Sequence, residues 1–188
     1  MRLPIAAVFV LAAGALAADD GLLRECLECH RPGQDRGEVP LLEGQPADYL
    51  RTQLARFRDD HRQGFPMTAL AAGFDDAAVD RLATALAARP WRSAPARSID
   101  AAAAARGSAR VEQLACASCH GDGYLGSGEI PRLAGQQPGY LRRQLAAFGD
   151  GDRHHPPSGV GSRLYALSVA EVADIAAFLH ALDAAPTQ

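Results

Sequence analysis

The chain has 188 residues, 48% of them hydrophobic and 22% charged, with a formal net charge of -3. That is the balance of one or two compact globular domains, and it excludes disordered, collagen-like and multi-span membrane classes. All 19 basic residues are Arg and form no basic patch, so nucleic-acid binding is not expected, and four Cys are too few for a disulfide-built scaffold.

At the amino end, Met1 and Arg2 give a short positive start, residues 3–16 are continuously apolar, and Ala15-Leu16-Ala17 has the small-x-small form of a cleavage site. This pattern predicts a secretory signal peptide over residues 1–17, cleaved near Ala17 or Ala18. The apolar run is shorter than the roughly 20 residues of a spanning helix, and no later segment is apolar for long enough to cross a bilayer. The mature chain of 171 residues is therefore expected in the periplasm, where unprotected thiols are oxidised.

The four Cys fall in two identical frames, Cys26-Leu27-Glu28-Cys29-His30 and Cys116-Ala117-Ser118-Cys119-His120, displaced by 90 residues. A longer repeat surrounds them: at a displacement of 91, residues 37–57 and 128–148 agree at 13 of 21 positions, including Pro40/Pro131, Gly44/Gly135, Gln45/Gln136, Tyr49/Tyr140 and Phe57/Phe148. Further on, Val79 aligns with Val172 at a displacement of 93, so the second copy gains two residues between its middle and last helices, where Met67 lies in the first. The reading is two domains, residues 18–88 and 99–188, joined by a linker over 89–98 that contains Pro90 and Pro95.

The expected class is all-α. In the first copy Tyr49, Leu50, Gln53, Leu54 and Phe57 follow helical spacing behind Pro46, a favourable first-turn residue. Asp75 or Asp76 starts a later helix with Val79, Leu82 and Leu86 inward. In the second copy Ser168-Val169-Ala170-Glu171 has capping-box form, ahead of Val172, Ile175, Ala176, Leu179 and Leu182 on one face. No stretch alternates like a strand.

C-x-x-C-H is the attachment frame of c-type haem. Two thiols three positions apart reach the two vinyl groups on one edge of the ring, and the adjacent His turns its imidazole to the iron. A structural zinc site would want further ligands in the same short segment, and a redox dithiol would want an α/β frame. Both frames therefore predict covalent haem c, held by Cys26 and Cys29 with His30 as axial ligand, and by Cys116 and Cys119 with His120. Such a ring also supplies most of the core that an 80-residue domain lacks. Met67, the only Met after the initiator, follows Phe65-Pro66 on a loop and is the candidate thioether ligand of the first iron. His/Met ligation raises the potential and closes the site, which suits electron transfer.

With both frames, the Pro40-Leu41-Leu42-Glu43-Gly44-Gln45 and Pro131-Arg132-Leu133-Ala134-Gly135-Gln136 stretches and the Tyr-Leu-Arg-x-Gln-Leu-Ala-x-Phe helices, the whole mature chain resembles the dihaem cytochromes c of the cytochrome c4 type. It is also similar to the cytochrome subunit of sulfide-oxidising flavocytochromes. The resemblance implies two tandem class I cytochrome c domains with their haem edges close together at the domain interface. It further implies that the carbonyls of Pro40 and Pro131 orient the imidazoles of His30 and His120.

The second domain departs from that pattern, because no Met exists beyond residue 67. Position 67 corresponds to Ser158 or Val160, depending on the side from which one counts, and neither is a usual ligand. His155, or its neighbour His154, is the candidate sixth ligand; an open or water-bound iron and Tyr165 are the alternatives. His61 is expected on the surface and His180 in a structural role. The glycine-rich run from Gly121 to Gly128 lacks the order of a phosphate loop.

The expected function is that of a periplasmic carrier moving electrons from a quinol-oxidising complex or a dehydrogenase to a terminal oxidase or reductase, with no catalytic residue beyond the haem ligands. Two other readings compete: a haem enzyme or small-ligand binder using a second iron without Met, and the electron-accepting subunit of a flavoprotein dehydrogenase. The two halves carry 11 Arg against 13 acids and 7 against 9, so electrostatic steering of partners is expected to be weak.

Overall fold

The computed structural model describes residues 21–32, 37–93, 100–156 and 160–182, the last stretch with side chains from Arg163 onward. The expected signal peptide with its cleavage point lies outside the described residues, as do residues 94–98 of the linker and Ser158.

The chain is helical, and among the described residues the only β pairing is an isolated bridge between Ser127 and Ile130. The first half holds α1 (helical over residues 21–30), α2 (Ala47–Arg58), α3 (Met67–Ala71) and α4 (Asp76–Ala87). The second holds α5 (Ala101–Gln113), α6 (Ala117–His120), a 3-10 turn at Asp122–Tyr124, α7 (Pro138–Gly149), α8 (Val160–Tyr165) and α9 (Val169–Ala181).

The local signals act where expected, with one shift. Pro46 stands just before α2, not inside its first turn, and Asp48 then meets the positive end of the helix while Arg56 and Arg58 meet the negative end. Asp75 caps α4 by accepting from the Ala78 N–H at 2.7 Å. Ser168 and Glu171 close a full capping box on α9: Ser168 Oγ accepts from the Glu171 N–H at 3.2 Å, and Glu171 Oε2 accepts from the Ser168 N–H at 2.8 Å.

Each half has its own apolar centre. Leu23, Tyr49, Leu50, Ala83 and Leu86 are buried together in the first, beside a second cluster of Leu54, Val79 and Leu82. Val111, Leu141, Ile175, Ala176 and Leu179 fill the second. There α5 crosses α9 at Gly107, where a Cβ would lie 2.0 Å from the Asp174 carbonyl oxygen.

The hydrogen bonds that join the halves are reciprocal at the 91-residue displacement. Gln136 accepts from the Leu41 N–H at 2.8 Å and donates to the Leu41 carbonyl at 3.0 Å. Gln45 mirrors this on Arg132, accepting and donating at 2.9 Å. The Tyr49 N–H donates to the Gly128 carbonyl at 3.1 Å, and the Tyr140 N–H to the Gly37 carbonyl at 2.9 Å. Trp91 lies against Gly44 and Ser93 against Gly135, so the start of the linker crosses both glutamine-bearing turns.

Two outcomes are expected from this packing. Gly107→Ala forces α5 from α9 and costs about 1–3 kcal/mol of stability in the second half, read by thermal or denaturant unfolding. Replacing both Gln45 and Gln136 by Ala strands five backbone groups, the N–H and carbonyl of Leu41 and of Arg132 and the N–H of Gln137, at about 1–3 kcal/mol for each group left buried and unpaired, and separates the unfolding of the halves in calorimetry.

Candidate functional site

In the first half, Cys26, Cys29 and His30 occupy the carboxyl end of α1, with both thiols half-buried and His30 buried. The His30 Nδ1 lies 2.7 Å from the Pro40 carbonyl oxygen. A carbonyl can only accept, so Nδ1 carries the proton and the other ring nitrogen is left with its lone pair. Burial holds the imidazole below its usual pKa, against a smaller opposite push from the Pro40 bond, and keeps the ring neutral. Burial likewise pushes the Cys26 thiol up. Met67, half-buried at the start of α3, packs on the Leu54, Val79 and Leu82 cluster together with Cys26 and Phe74. Met67 and Cys26 of the attachment frame thus share one apolar cluster.

The second half repeats this arrangement. Cys116, Cys119 and His120 lie on and just ahead of the short α6, and the His120 Nδ1 is 2.9 Å from the Pro131 carbonyl oxygen. Burial lowers its pKa in the same way. The glycine-rich run wraps back from the frame to Pro131, with the Gly126 N–H donating to the His120 carbonyl at 2.9 Å. None of the four Cys is in a disulfide, and among the described residues no group of three or more His, Cys, Asp or Glu is placed to hold a metal by itself.

The remaining candidates separate clearly. His155 comes to His120, their ring centroids 6.3 Å apart, and meets the Phe148 ring edge-on at 4.8 Å. His154 and His61 are exposed, and Tyr165 is 75% exposed. His180, buried on α9, has its Nδ1 3.1 Å from the Gln136 carbonyl oxygen, a structural tie to the interface turn.

One group was not foreseen from the sequence. Arg62 and Arg153, 91 residues apart, meet across the domain seam with Gln53, Gln144, Tyr49 and Tyr140. Arg62 donates to Gln53 Oε1 at 2.8 Å, to Gln144 Oε1 at 3.1 Å and to the Tyr140 hydroxyl at 3.3 Å. Arg153 donates to Gln53 Oε1 at 2.9 Å and also to Gln144. The guanidiniums lie over the Phe57 and Phe148 rings at 4.5 and 4.6 Å. These bonds go to neutral acceptors, so two positive charges share a half-buried seam. Only the common displacement of the Arg and Gln pairs signals it in the sequence.

The seam also splits the two phenols. Burial, reinforced by the neighbouring Tyr140, pushes Tyr49 up. Burial would raise Tyr140 as well, but Arg62 and Arg153 outweigh it and pull that phenol below the ordinary tyrosine range. An acid whose folded pKa is lowered adds stability as pH rises from that value to its unfolded value of about 10, and loses it again as pH falls. On alkaline titration one tyrosine is expected to ionise ahead of the others in the ultraviolet difference spectrum, and Tyr140→Phe to abolish that early step.

The family model described as Cytochrome c matches residues 104–183. Over 200 aligned residues the chain is 32% identical to the thiosulfate dehydrogenase electron acceptor of Thiomonas intermedia, covering 98% of this chain and 90% of that protein. The solved cytochrome c4 of Acidithiobacillus ferrooxidans superposes with a TM-score of 0.74 at 32% identity, over 85% of this chain and 99% of that one. A solved thiosulfate dehydrogenase from Marichromatium purpuratum matches with a TM-score of 0.71 at 30% identity, over 83% of this chain but 36% of the other.

Proposed function

The chain belongs to the cytochrome c family, with the electron-transferring cytochrome c4 and thiosulfate dehydrogenase electron acceptors, and we propose that it is a periplasmic carrier with one haem c in each half, accepting electrons from a dehydrogenase of reduced sulfur compounds. Covalent haem c is the family's cofactor. The observation that carries two such groups is the repetition of the whole frame: two C-x-x-C-H sequences, each with a buried neutral imidazole whose Nδ1 is pinned by a proline carbonyl. A one-haem chain would have no use for the second.

Cys26 and Cys29, and Cys116 and Cys119, would hold the rings through thioether bonds, with His30 and His120 as iron ligands and Met67 as a further ligand of the first iron. Once bound, haem supplies a one-electron iron couple. The protein's part is to fix each imidazole in one tautomer and to hold the Met67 thioether on the apolar Leu54, Val79 and Leu82 cluster. The domains would run over residues 18–88 and 99–188 with 89–98 between them, and the signal peptide would deliver the chain to the periplasm, where these cysteines are coupled to haem.

A sulfur-compound dehydrogenase as donor is supported by two relatives: one is named as the electron acceptor of thiosulfate dehydrogenase, and in another a portion similar to this chain lies within a longer thiosulfate dehydrogenase. Among the described residues no helix is long and apolar enough to cross a membrane.

Intact mass of the purified holoprotein is expected to show two covalent haems, and rapid mixing with thiosulfate dehydrogenase and thiosulfate to reduce them within the enzyme's turnover time. Failure of that reduction, with reduction by another donor intact, overturns the partner. Met67→Ala is expected to abolish the thioether absorption band and lower the potential of the first haem.

A further inference from the structure

We propose that His155 is the sixth iron ligand of the second half, so that His120 and His155 hold one iron from opposite sides while the first half uses His30 and Met67. The assignment rests on the reading that both C-x-x-C-H frames carry haem, and it is made by the path of residues 150–156 after α7.

Spacing is the first observation. A metal–nitrogen bond of about 2 Å on each side, added to the nitrogen-to-centre distances of two imidazoles, brings the ring centres about 6 Å apart. The His120 and His155 centroids are 6.3 Å apart. Direct stacking would bring them closer, and rings with unrelated roles have no reason to meet at this separation in the second attachment frame.

The second observation is polar accounting. The His155 Nδ1 is buried without a hydrogen-bond partner. A buried polar atom left unpaired costs about 1–3 kcal/mol, and natural structures accept that cost mainly where a function uses the group. The Phe148 ring, edge-on at 4.8 Å, walls the imidazole on another side. Its neighbours give no rival: His154 is exposed and Tyr165 is 75% exposed.

The third observation is the way the two copies differ. α2 and α7 correspond at a displacement of 91, whereas α3 and α8, and α4 and α9, correspond at 93. The two extra residues therefore lie in the loop ahead of α8. Aligned from the α7 side, His155 stands where the first half has Gly64; aligned from the α8 side, Val160 stands where it has Met67. A Cβ on Gly64 would lie 3.1 Å from the Phe57 ring, and Phe148, which His155 meets, is the counterpart of Phe57. The second half has thus lost its thioether at the helix start and gained an imidazole on the loop, at a position whose first Cβ already points toward the same aromatic wall.

Replacing thioether by imidazole removes the ligand that raises the potential, so the second haem is expected to be the more negative of the two and the electron to settle on the first. In the oxidised holoprotein, low-temperature electron paramagnetic resonance and near-infrared spectra are expected to show two low-spin haems, only one with a thioether band. His155→Ala is expected to turn the second haem high-spin and open to carbon monoxide, with the thioether band of the first unchanged; His154→Ala changes neither. A high-spin second haem in the unmodified protein, an unchanged spectrum in His155→Ala, or the change appearing in His154→Ala overturns the assignment. If His155→Ala does not accumulate, the unmodified spectrum still decides. A mass showing one haem overturns the two-haem reading itself, a result distinct from a second haem with the wrong spin state.

Discussion

One hydrogen bond in each half organises this molecule: the donation of an imidazole Nδ1–H to a proline carbonyl, at 2.7 Å for His30 and 2.9 Å for His120. It fixes the tautomer, and it also fixes the strand of loop that carries the carbonyl. The very next residues, Leu41 and Arg132, are those gripped by Gln136 and Gln45 of the opposite half. The loop that orients each histidine is therefore continuous with the loop that joins the domains. A disturbance of either glutamine reaches an imidazole through a single residue of backbone, and domain pairing draws on the same two loops as ligand orientation.

Much of this was legible in the sequence because the chemistry demands local patterns. The attachment frames need their order and spacing, and capping groups such as Asp75 and the Ser168–Glu171 box act within one helical turn. The repeat exposed the tandem, and helical spacing without strand-like alternation exposed the all-α class. The interface was less legible for a physical reason: Gln45 and Gln136 bond to main-chain groups, which carry no residue identity and so leave no complementary motif. The Arg62 and Arg153 seam was hidden for a different reason. Among the described residues no acid pairs with its charges, and only a shared displacement marks the pair.

The choice between His154 and His155 lay beyond pattern altogether. Adjacent residues on a loop point in different directions, and the direction is set by the backbone path after α7. The two-residue gain, placed from sequence near the position of Met67, sits in the structure ahead of α8, since α3 and α8 keep a common displacement with the helices that follow them. The lengthened segment is thus the one that carries His155.

The residue-by-residue reciprocity of the interface has an implication for how such a chain arises. Contacts in which residue i of one half meets residue j of the other, and j meets i, are those of an isologous homodimer. In a homodimer every substitution appears twice, so a ligand loop cannot change on one side alone. Joining the two copies in one chain, with Trp91 and Ser93 lying across both turns, keeps the dimer's geometry while releasing the copies from identity. A single chain thus gives a symmetric scaffold the freedom to hold the two unlike ligand sets proposed above.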